Sequence, residues 1–469
     1  MTITVSTSTI NFESNIDDLK SNFQYIIKNL NDHGYSPLIS QAKKNFFAVF
    51  GLSEEVELDS FESIEPPIRN YPVRSRKIPL LGEIFFTEND KAILYLNLQL
   101  KNFFRRSNDE PGPVRITLEA GYIGEGNDSD YLDQFIKYID LKGFGILPNW
   151  SSFSPEGTHF KQLGNSANTN FIRATDVTER EFELLNHLEN KTERDIAYIV
   201  KRSGGILKED LATTFTKDGL NKDNVLSTIE ILMNNNLLSQ KYVVICKKTS
   251  RQIFIADSEK DIQDMGSRKI SCSCGKLISD EKVEVLISPT QELQKMLNKS
   301  YWMTVKLVRV LNNLGISSER ILLNLKEGNE EIDAFADIDG KLLMFELKDD
   351  EFSMGHAYPF SGRIGIYKPE YAVIVAAKGI SPDVNNYLDQ VVPEETKAYY
   401  VDNIDLISDK IDEIVNEIRS INAMNILSNF DIMSRVSPSK LIASKIGIHS
   451  IDEYLDTSDN VFISNMDLY

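Results

Sequence analysis

Apolar positions near the start of the chain repeat with a helical period and later with the period of a β-strand. Ile16–Leu30 carries its apolar residues three and four positions apart, which predicts an amphipathic helix. Ala92–Leu100 alternates, and Val114–Leu118 follows a Pro-Gly-Pro turn, so both stretches are predicted strands. We expect residues 1–150 to form an α/β domain, to which no motif assigns a role.

Residues 148–170 are rich in Ser, Asn, Gly and Pro and predict a linker or a long surface loop. After it, residues 171–258 show helical spacing followed by two short strands. Helices that lead into a β-hairpin resemble a winged helix-turn-helix module, in which Asn224–Asn235 would be the recognition helix. That helix contains no Arg or Lys, so docking to a protein partner is an equally weighted alternative. The basic residues that are candidate DNA contacts flank it or lie in the wing: Lys222, Lys247, Lys248 and Arg251.

Two of the three cysteines of the chain lie in residues 259–289. Cys272 and Cys274 form a C-x-C pair, and Cys246 is the only other thiol. A structural zinc site needs four ligands, commonly supplied as paired C-x2-C units, and no histidine lies nearby. We therefore interpret residues 259–289 as a degenerate zinc-ribbon-like segment and expect no zinc.

The most informative stretch surrounds an Asp-Gly pair at 339–340, which strongly favours a two-residue type I′ turn. Alternating residues on both sides of the pair predict a β-hairpin. With that turn, Asp333 lies opposite Glu346, and Lys348 follows two residues later on the same face. The other face of the hairpin is purely apolar and is expected to face a core.

Two carboxylates that face each other across neighbouring strands, with Cβ atoms about 5 Å apart, repel each other. A divalent cation between them turns repulsion into coordination, and hard carboxylate oxygens suit Mg²⁺. We therefore expect Asp333 and Glu346 to bind Mg²⁺, for which Mn²⁺ is a substitute. An ammonium group at Lys348 is suited to position or deprotonate a water, or to stabilise negative charge on phosphorus.

Asp333 on one strand and Glu346-Leu347-Lys348 on the next resemble the PD-(D/E)xK nuclease superfamily, which has a restriction-endonuclease-like fold. The resemblance implies that Asp333 and Glu346 bind the metal, that the Leu347 carbonyl is a third ligand, and that Lys348 is the catalytic lysine. It covers residues 290–405. The flanking predicted elements follow the family's αβββαβ order. A strand at Ile321–Leu325 precedes the hairpin. A helix at Phe352–Ile364, a buried strand at Tyr371–Ala376 and a further helix from Ser381 onward follow it.

One feature departs from the family pattern. Many members carry an extra Glu on the helix before the first strand, but the corresponding stretch Tyr301–Thr304 contains no acid. Glu331 is a candidate substitute, and binding of a single metal ion is the alternative. Arg363, on the helix after the motif, is a further candidate DNA contact, although a lone Arg on a helix is more often simply solvated.

The charge balance limits the partners of this protein. Among its 469 residues, acidic residues outnumber basic ones by 70 to 51, and the net charge is -19. That excludes a polybasic nucleic-acid coating protein but not a nuclease, since a local basic groove sets the field that a phosphate experiences. Apolar runs are too short to cross a bilayer, and three cysteines fit a reducing compartment. We expect a cytoplasmic protein that does not bind membranes.

The sequence thus predicts a multidomain α/β protein that hydrolyses phosphodiester bonds as a metal-dependent endonuclease, with DNA as the expected substrate. By analogy, the resemblance suggests prokaryotic restriction or anti-phage defence. The acidic total predicts gating by a protein partner or ligand, and a homo-oligomer is expected. The alternative is a non-catalytic DNA-binding or assembly protein with an inactive nuclease-like domain. The expected segments are residues 1–150, 171–258, 259–289, 290–405 and a helical tail at 406–469.

Overall fold

The computed structural model describes most of the chain, and its residues fall into two compact units. The first unit comprises residues 1–161, 337–341 and 409–469, and the second comprises residues 162–336 and 342–408. The prediction of a multidomain mixed α/β protein is confirmed. The described residues are 3–49, 77–87, 92–101, 114–125, 129–152, 157–165, 170–217, 219–327, 330–434 and 438–446.

Strands and helices alternate in blocks along the described residues. The strands are β1 (Ile3–Ser14), β2 (Lys77–Phe86), β3 (Ala92–Lys101), β4 (Val114–Glu125), β5 (Ser151–Ser152), β6 (Asn170–Arg173), β7 (Ile206–Leu207), β8 (Leu238–Ile245), β9 (Gln252–Ala256), β10 (Lys282–Pro289), β11 (Ile321–Glu327), β12 (Glu330–Ile338), β13 (Lys341–Lys348), β14 (Tyr371–Ala376) and β15 (Lys397–Val401). The helices are α1 (Ile16–Asp32), α2 (Leu38–Val49), α3 (Ser129–Lys137), α4 (Thr158–Asn165), α5 (Glu179–Glu189), α6 (Lys191–Ser203), α7 (Lys208–Lys217), α8 (Lys222–Asn234), α9 (Glu259–Ser267), α10 (Gln291–Leu297), α11 (Tyr301–Asn313), α12 (Met354–Tyr367), α13 (Pro382–Val391), α14 (Ile407–Ser434) and α15 (Pro438–Lys445).

The first unit is built on an antiparallel sheet with the strand order β2-β3-β4-β1-β5. Alternate residues of β3 point to opposite faces of the sheet. Leu94, Leu96 and Leu98 belong to a core that includes residues of α1 and α3, whereas Ile93 and Tyr95 belong to a second core. The helix and the two strands predicted in this region are confirmed, and helices cover both faces of the sheet.

Helix α14 contributes to that second core. Its apolar residues Ala423, Leu427 and Phe430 are buried together with Tyr95 of β3. The predicted helix at the end of the chain is therefore present, but it differs from a separate tail because its apolar stripe packs on the N-terminal sheet. Residues 447–469 of the predicted tail lie outside the described residues.

Two sheets form the second unit. The smaller one has the strand order β7-β10-β8-β9. Strand β7 lies between α6 and α7, and the other three strands come after α8, so the helices and the hairpin predicted for the middle region are present. Strand β10, however, lies between β7 and β8 and pairs Ile287 with Ile206. The segment 259–289, expected as a separate ribbon, therefore completes the sheet of the middle region, because β10 supplies the partner for both β7 and β8.

The larger sheet has the order β15-β14-β13-β12-β11-β6. β11 is antiparallel to β12, whereas β13, β14 and β15 run parallel to one another. From α11 onward the elements follow the order helix, three strands, helix, strand, helix and strand. Strand β6 pairs with β11 on the far edge, so this sheet also uses residues that precede the predicted domain.

None of the helices in the described part of the chain is long and apolar enough to cross a membrane.

The packing of α14 on the first sheet is testable by shortening one side chain. Phe430 is fully buried, and its ring lies 5.9 Å from that of Tyr95. Phe430→Ala should lower the free energy of unfolding of the first unit by about 3–5 kcal/mol, because it removes buried apolar surface and leaves a cavity. Leu441→Ala on α15 is the matched control, since Leu441 is 74% exposed. Equal denaturant midpoints for both variants would contradict this packing.

Candidate active site

The hairpin that carries the candidate residues has the predicted turn. β12 ends at Ile338 and β13 begins at Lys341, so the loop is two residues long. Asp339 has φ 50° and Gly340 has φ 87°, as a type I′ turn requires. The Asp337 carboxylate accepts the Gly340 N–H over 3.0 Å and ties the turn to the strand before it.

Both faces of the hairpin are buried. The predicted apolar face is confirmed, since Ile332, Ala334, Phe345 and the other residues of that face are at most 2% exposed. On the candidate-site face Phe335 is also fully buried, because β12 and β13 are interior strands of a sheet with helices around it. Asp333 and Glu346 are therefore largely shielded from water.

Asp333 and Glu346 meet at one point, the ammonium group of Lys348. Lys348 Nζ lies 2.8 Å from Glu346 Oε1 and 3.5 Å from Asp333 Oδ2. The two carboxyl residues are only 7% and 5% exposed, whereas the Lys348 side chain is 27% exposed. The structure thus brings together the three residues that the sequence analysis singled out.

Asp333 is also fixed by the backbone of the neighbouring strand. Its Oδ2 atom accepts the N–H of Leu347 over 2.7 Å. This bond holds the Asp333 carboxylate beside the Glu346-Leu347 segment, the same segment whose carbonyl the family resemblance assigns as a ligand. Since a buried charge needs hydrogen bonds and paired charges, the bond also offsets part of the cost of burying the Asp333 carboxylate.

Arg363 completes the group of charges, a role that sequence reasoning missed. It lies on α12, and its Nη1 donates to Glu346 Oε2 over 2.9 Å. Its side chain is 13% exposed, so it is not a solvated residue on a helix surface. Seventeen positions separate Arg363 from Glu346, and only the packing of α12 against the sheet brings them together. The structure therefore places this candidate DNA contact inside the acidic site.

The two carboxylates of the site are balanced by two positively charged side chains. Burial acts to lower the pKa of Lys348, but attraction by Asp333 and Glu346 outweighs it and raises that pKa. Lys348 is consequently an ammonium ion at neutral pH, a donor and a positive charge rather than a base. With Arg363 it supplies two positive charges against the two carboxylates.

The donor set fits a hard divalent cation. Asp333 and Glu346 offer buried carboxylate oxygens that already converge on one positively charged atom, and Mg²⁺ and Mn²⁺ prefer such ligands. The Glu331 side chain, the candidate accessory ligand, lies outside the described part of the chain. Helix α11 contains no acidic residue along its whole length. Among the described residues, the acids at this site are therefore a single pair, Asp333 and Glu346, which suits the binding of one metal ion.

The backbone that follows Lys348 is held in place by residues that the sequence analysis did not single out as site residues. The Tyr198 hydroxyl on α6 donates to the Asp349 carboxylate, and Trp302 Nε1 donates to Tyr198 Oη over 3.0 Å. The Asp349 N–H also donates to Ser300 Oγ over 3.2 Å. Burial and the adjacent Asp349 carboxylate raise the pKa of Tyr198, which keeps its phenol neutral. These bonds fix the backbone directly after Lys348.

The candidate DNA contacts of the middle region have mixed surroundings. Lys222 pairs with Glu209 over 2.6 Å, and the backbone N–H of Lys247 donates to Glu281. Lys248 and Arg251 lie exposed around the turn between β8 and β9. Lys247, Lys248 and Arg251 thus share the turn between β8 and β9, whereas Lys222 lies at the start of α8, and the role of these cations stays a prediction.

Comparisons with known proteins leave the site to be judged by its own geometry. No family model matches the sequence, and no curated protein matches it. Among solved structures, protein VC1899 from Vibrio cholerae matches with 12% identity and a TM-score of 0.32, over 57% of this chain. The match spans 63% of that protein's own length, less than two thirds. A likeness this weak assigns neither fold nor activity.

The contact between Arg363 and Glu346 makes a prediction about stability. Arg363→Met should lower the free energy of unfolding by about 3 kcal/mol, since removing one partner of a buried pair leaves the other charge only partly compensated. Arg268→Met, at an exposed position after α9, is the control and should change it by less than about 0.5 kcal/mol. Chemical denaturation monitors both variants, and an unchanged Arg363→Met protein would show that this pair does not form.

Proposed function

We propose that this protein is a metal-dependent nuclease that hydrolyses phosphodiester bonds in DNA. The observation that carries the proposal is the meeting of Asp333, Glu346 and Lys348 on two neighbouring strands of one hairpin. The order of elements from α11 to β15 supports a restriction-endonuclease-like fold around that hairpin. Buried paired acids next to a lysine are costly to maintain, which favours a chemical role for them.

Each residue has a distinct part in the proposed reaction. Asp333, Glu346 and the Leu347 carbonyl would hold Mg²⁺, which supplies an activated water and neutralises charge on the phosphate. Lys348, an ammonium ion, donates hydrogen bonds and stabilises the negative charge that develops on phosphorus oxygens. Arg363 orients the Glu346 carboxylate through its bond to Oε2. The Asp333 bond to the Leu347 N–H keeps the two metal-binding strands in register.

The charge of the chain bears on how such an enzyme would be controlled. With a net charge of -19, unspecific attraction to a polyanion is weak away from local basic residues. We propose that a protein partner, a ligand or self-assembly into a homo-oligomer gates activity, and that the setting is prokaryotic defence against foreign DNA. The net acidic charge is equally compatible with a non-catalytic DNA-binding or assembly protein, which is the competing proposal.

Cleavage assays decide between these two proposals. Wild-type protein with Mg²⁺ or Mn²⁺ should cut at least one of supercoiled DNA, linear DNA, single-stranded DNA and RNA, and EDTA should stop the reaction. Asp333→Asn keeps an acceptor for the Leu347 N–H but loses the charge, so the rate should fall by at least about 100-fold.

The matched control for that assay is Asp350→Asn. Asp350 is an exposed acid two residues after Lys348 that pairs with the exposed Lys378, so this variant should cleave at the wild-type rate. Retention of metal-dependent cleavage in a folded Asp333→Asn protein would exclude this site as the nuclease centre. DNA binding with no cleavage by the wild type under any condition, together with no Mn²⁺ binding at Asp333 and Glu346, would favour the non-catalytic alternative over a gated enzyme.

Removal of the lysine should make the site depend on metal for stability. In Lys348→Met the two acids lose the ammonium group that compensates them, so the metal-free protein should melt at a lower temperature than the wild type. Stabilisation by Mn²⁺ reaches about 2.7 kcal/mol at 100 times the dissociation constant. At one fixed Mn²⁺ concentration the rise in melting temperature should therefore be larger in Lys348→Met, whose uncompensated acids bind the ion more tightly, than in the wild type. Lys378→Met, which removes an exposed ion pair, should respond like the wild type. No response to Mn²⁺ in any of these proteins would contradict metal binding here.

A further inference from the structure

We propose that Cys246, Cys272, Cys274 and Glu281 form a structural zinc site, called here the thiolate cluster. One donor atom from each of the four residues lies within 4.8 Å of all the others. Tetrahedral zinc with Zn–S bonds of about 2.3 Å places its ligand atoms about 3.8 Å apart. The four donors are therefore close to the required spacing and correct in number, and a shift of less than about 1 Å closes the site.

Strand pairing explains why Glu281 joins the cysteines. β8 and β10 are antiparallel, and Ile245 pairs with Lys282. The next pair in that register is Cys246 and Glu281, so both residues leave the sheet side by side. The sequence analysis expected no zinc because it found no fourth ligand among thiols and histidines. Glu281 supplies that ligand and removes the ground for the expectation.

A tight turn brings the other two thiols to the same place. The Cys272 N–H donates to the Lys276 carbonyl over 2.8 Å, and the Gly275 N–H donates to the Cys272 carbonyl over 2.9 Å. Gly275 has φ +94°, a conformation that side-chain-bearing residues rarely adopt. The C-x-C-G stretch thus folds back on itself and directs Cys272 and Cys274 toward Cys246.

The surroundings of Glu281 are an independent indication of a bound cation. Its side chain is 4% exposed and accepts the Lys247 N–H over 2.6 Å and the Cys274 thiol over 2.9 Å. Within the described residues, no lysine or arginine side chain forms an ion pair with Glu281. An isolated buried carboxylate is expensive unless a counter-charge accompanies it. A Zn²⁺ ion bound directly by this carboxylate would place positive charge against it, and the three thiols would release their protons to complete the coordination.

The size of the local core gives a reason for a metal. The buried residues of this core are few and two of them are cysteines: Val244, Cys246, Ala256, Ile262, Cys272 and Ile278. A core this small provides little hydrophobic stabilisation, and small modules often add a structural metal. Thiolates favour zinc over Mg²⁺, so the ion here differs from the one proposed for the hairpin site.

The zinc site does not depend on the proposed nuclease activity. Its ligands lie beside the ends of β8 and β10 and on the turn after α9, so zinc would fix the β8–β9 hairpin at the end that carries its connecting turn. That hairpin carries Lys248 and Arg251 in its connecting turn. A fixed hairpin would present these two cations in one orientation to a partner or to nucleic acid.

Metal analysis of the full-length wild-type protein tests this site directly. After dialysis against a chelating resin, elemental analysis should find one zinc per chain. The chain has three cysteines, all in the cluster, so the thiol reagent DTNB should react with three thiols only after a strong chelator has removed the zinc. Co²⁺ added to the reduced metal-free protein should give the thiolate-to-metal absorption band of a tetrahedral site.

Single substitutions test whether Glu281 in particular binds the zinc. Glu281→Gln keeps an acceptor for the Lys247 N–H but removes the ligand charge, and zinc affinity should fall by at least about tenfold. Glu259→Gln, an exposed acid on α9, and Asp333→Asn in the hairpin site should both keep one zinc per chain. Wild-type protein without zinc and without the Co²⁺ band would overturn the proposal, as would iron in its place or a disulfide among the three cysteines.

Discussion

The buried acidic pair of the β12–β13 hairpin is the constraint around which the second unit is organised. Asp333 and Glu346 cannot lie side by side in a water-excluded sheet unless positive charge and hydrogen bonds accompany them. Lys348, Arg363 and the Leu347 N–H supply these in the structure. Helix α12 and the neighbouring strands are therefore positioned by electrostatics as well as by apolar packing.

Local sequence signals predicted the hairpin because its determinants are close together in the chain. The Asp-Gly pair requires positive φ at both residues, and that turn fixes which residues share a face. The same reasoning located Asp333, Glu346 and Lys348 at one point without any structural input. The order of strands and helices after α11 also followed from short apolar runs and their boundaries.

Local sequence signals of this kind did not predict contacts between residues that lie far apart in the chain. Nothing in the sequence around Arg363 distinguishes it from a solvated arginine, and its contact with Glu346 arises only when α12 packs on the sheet. Glu281 is one acid among 70 acidic residues, and its place beside Cys246 follows from the pairing of β8 with β10. Likewise, the apolar stripe of α14 predicts burial but not the sheet that covers it.

The proposed activity depends on a metal ion replacing Lys348 as the partner of the two carboxylates. Anomalous diffraction from crystals of the wild-type protein soaked in Mn²⁺ examines this most directly. A manganese peak within coordination distance of both Asp333 and Glu346, with the Lys348 ammonium group moved away from one of them, is the expected result. A map without manganese at this position, in which Lys348 still contacts both carboxylates, would contradict it.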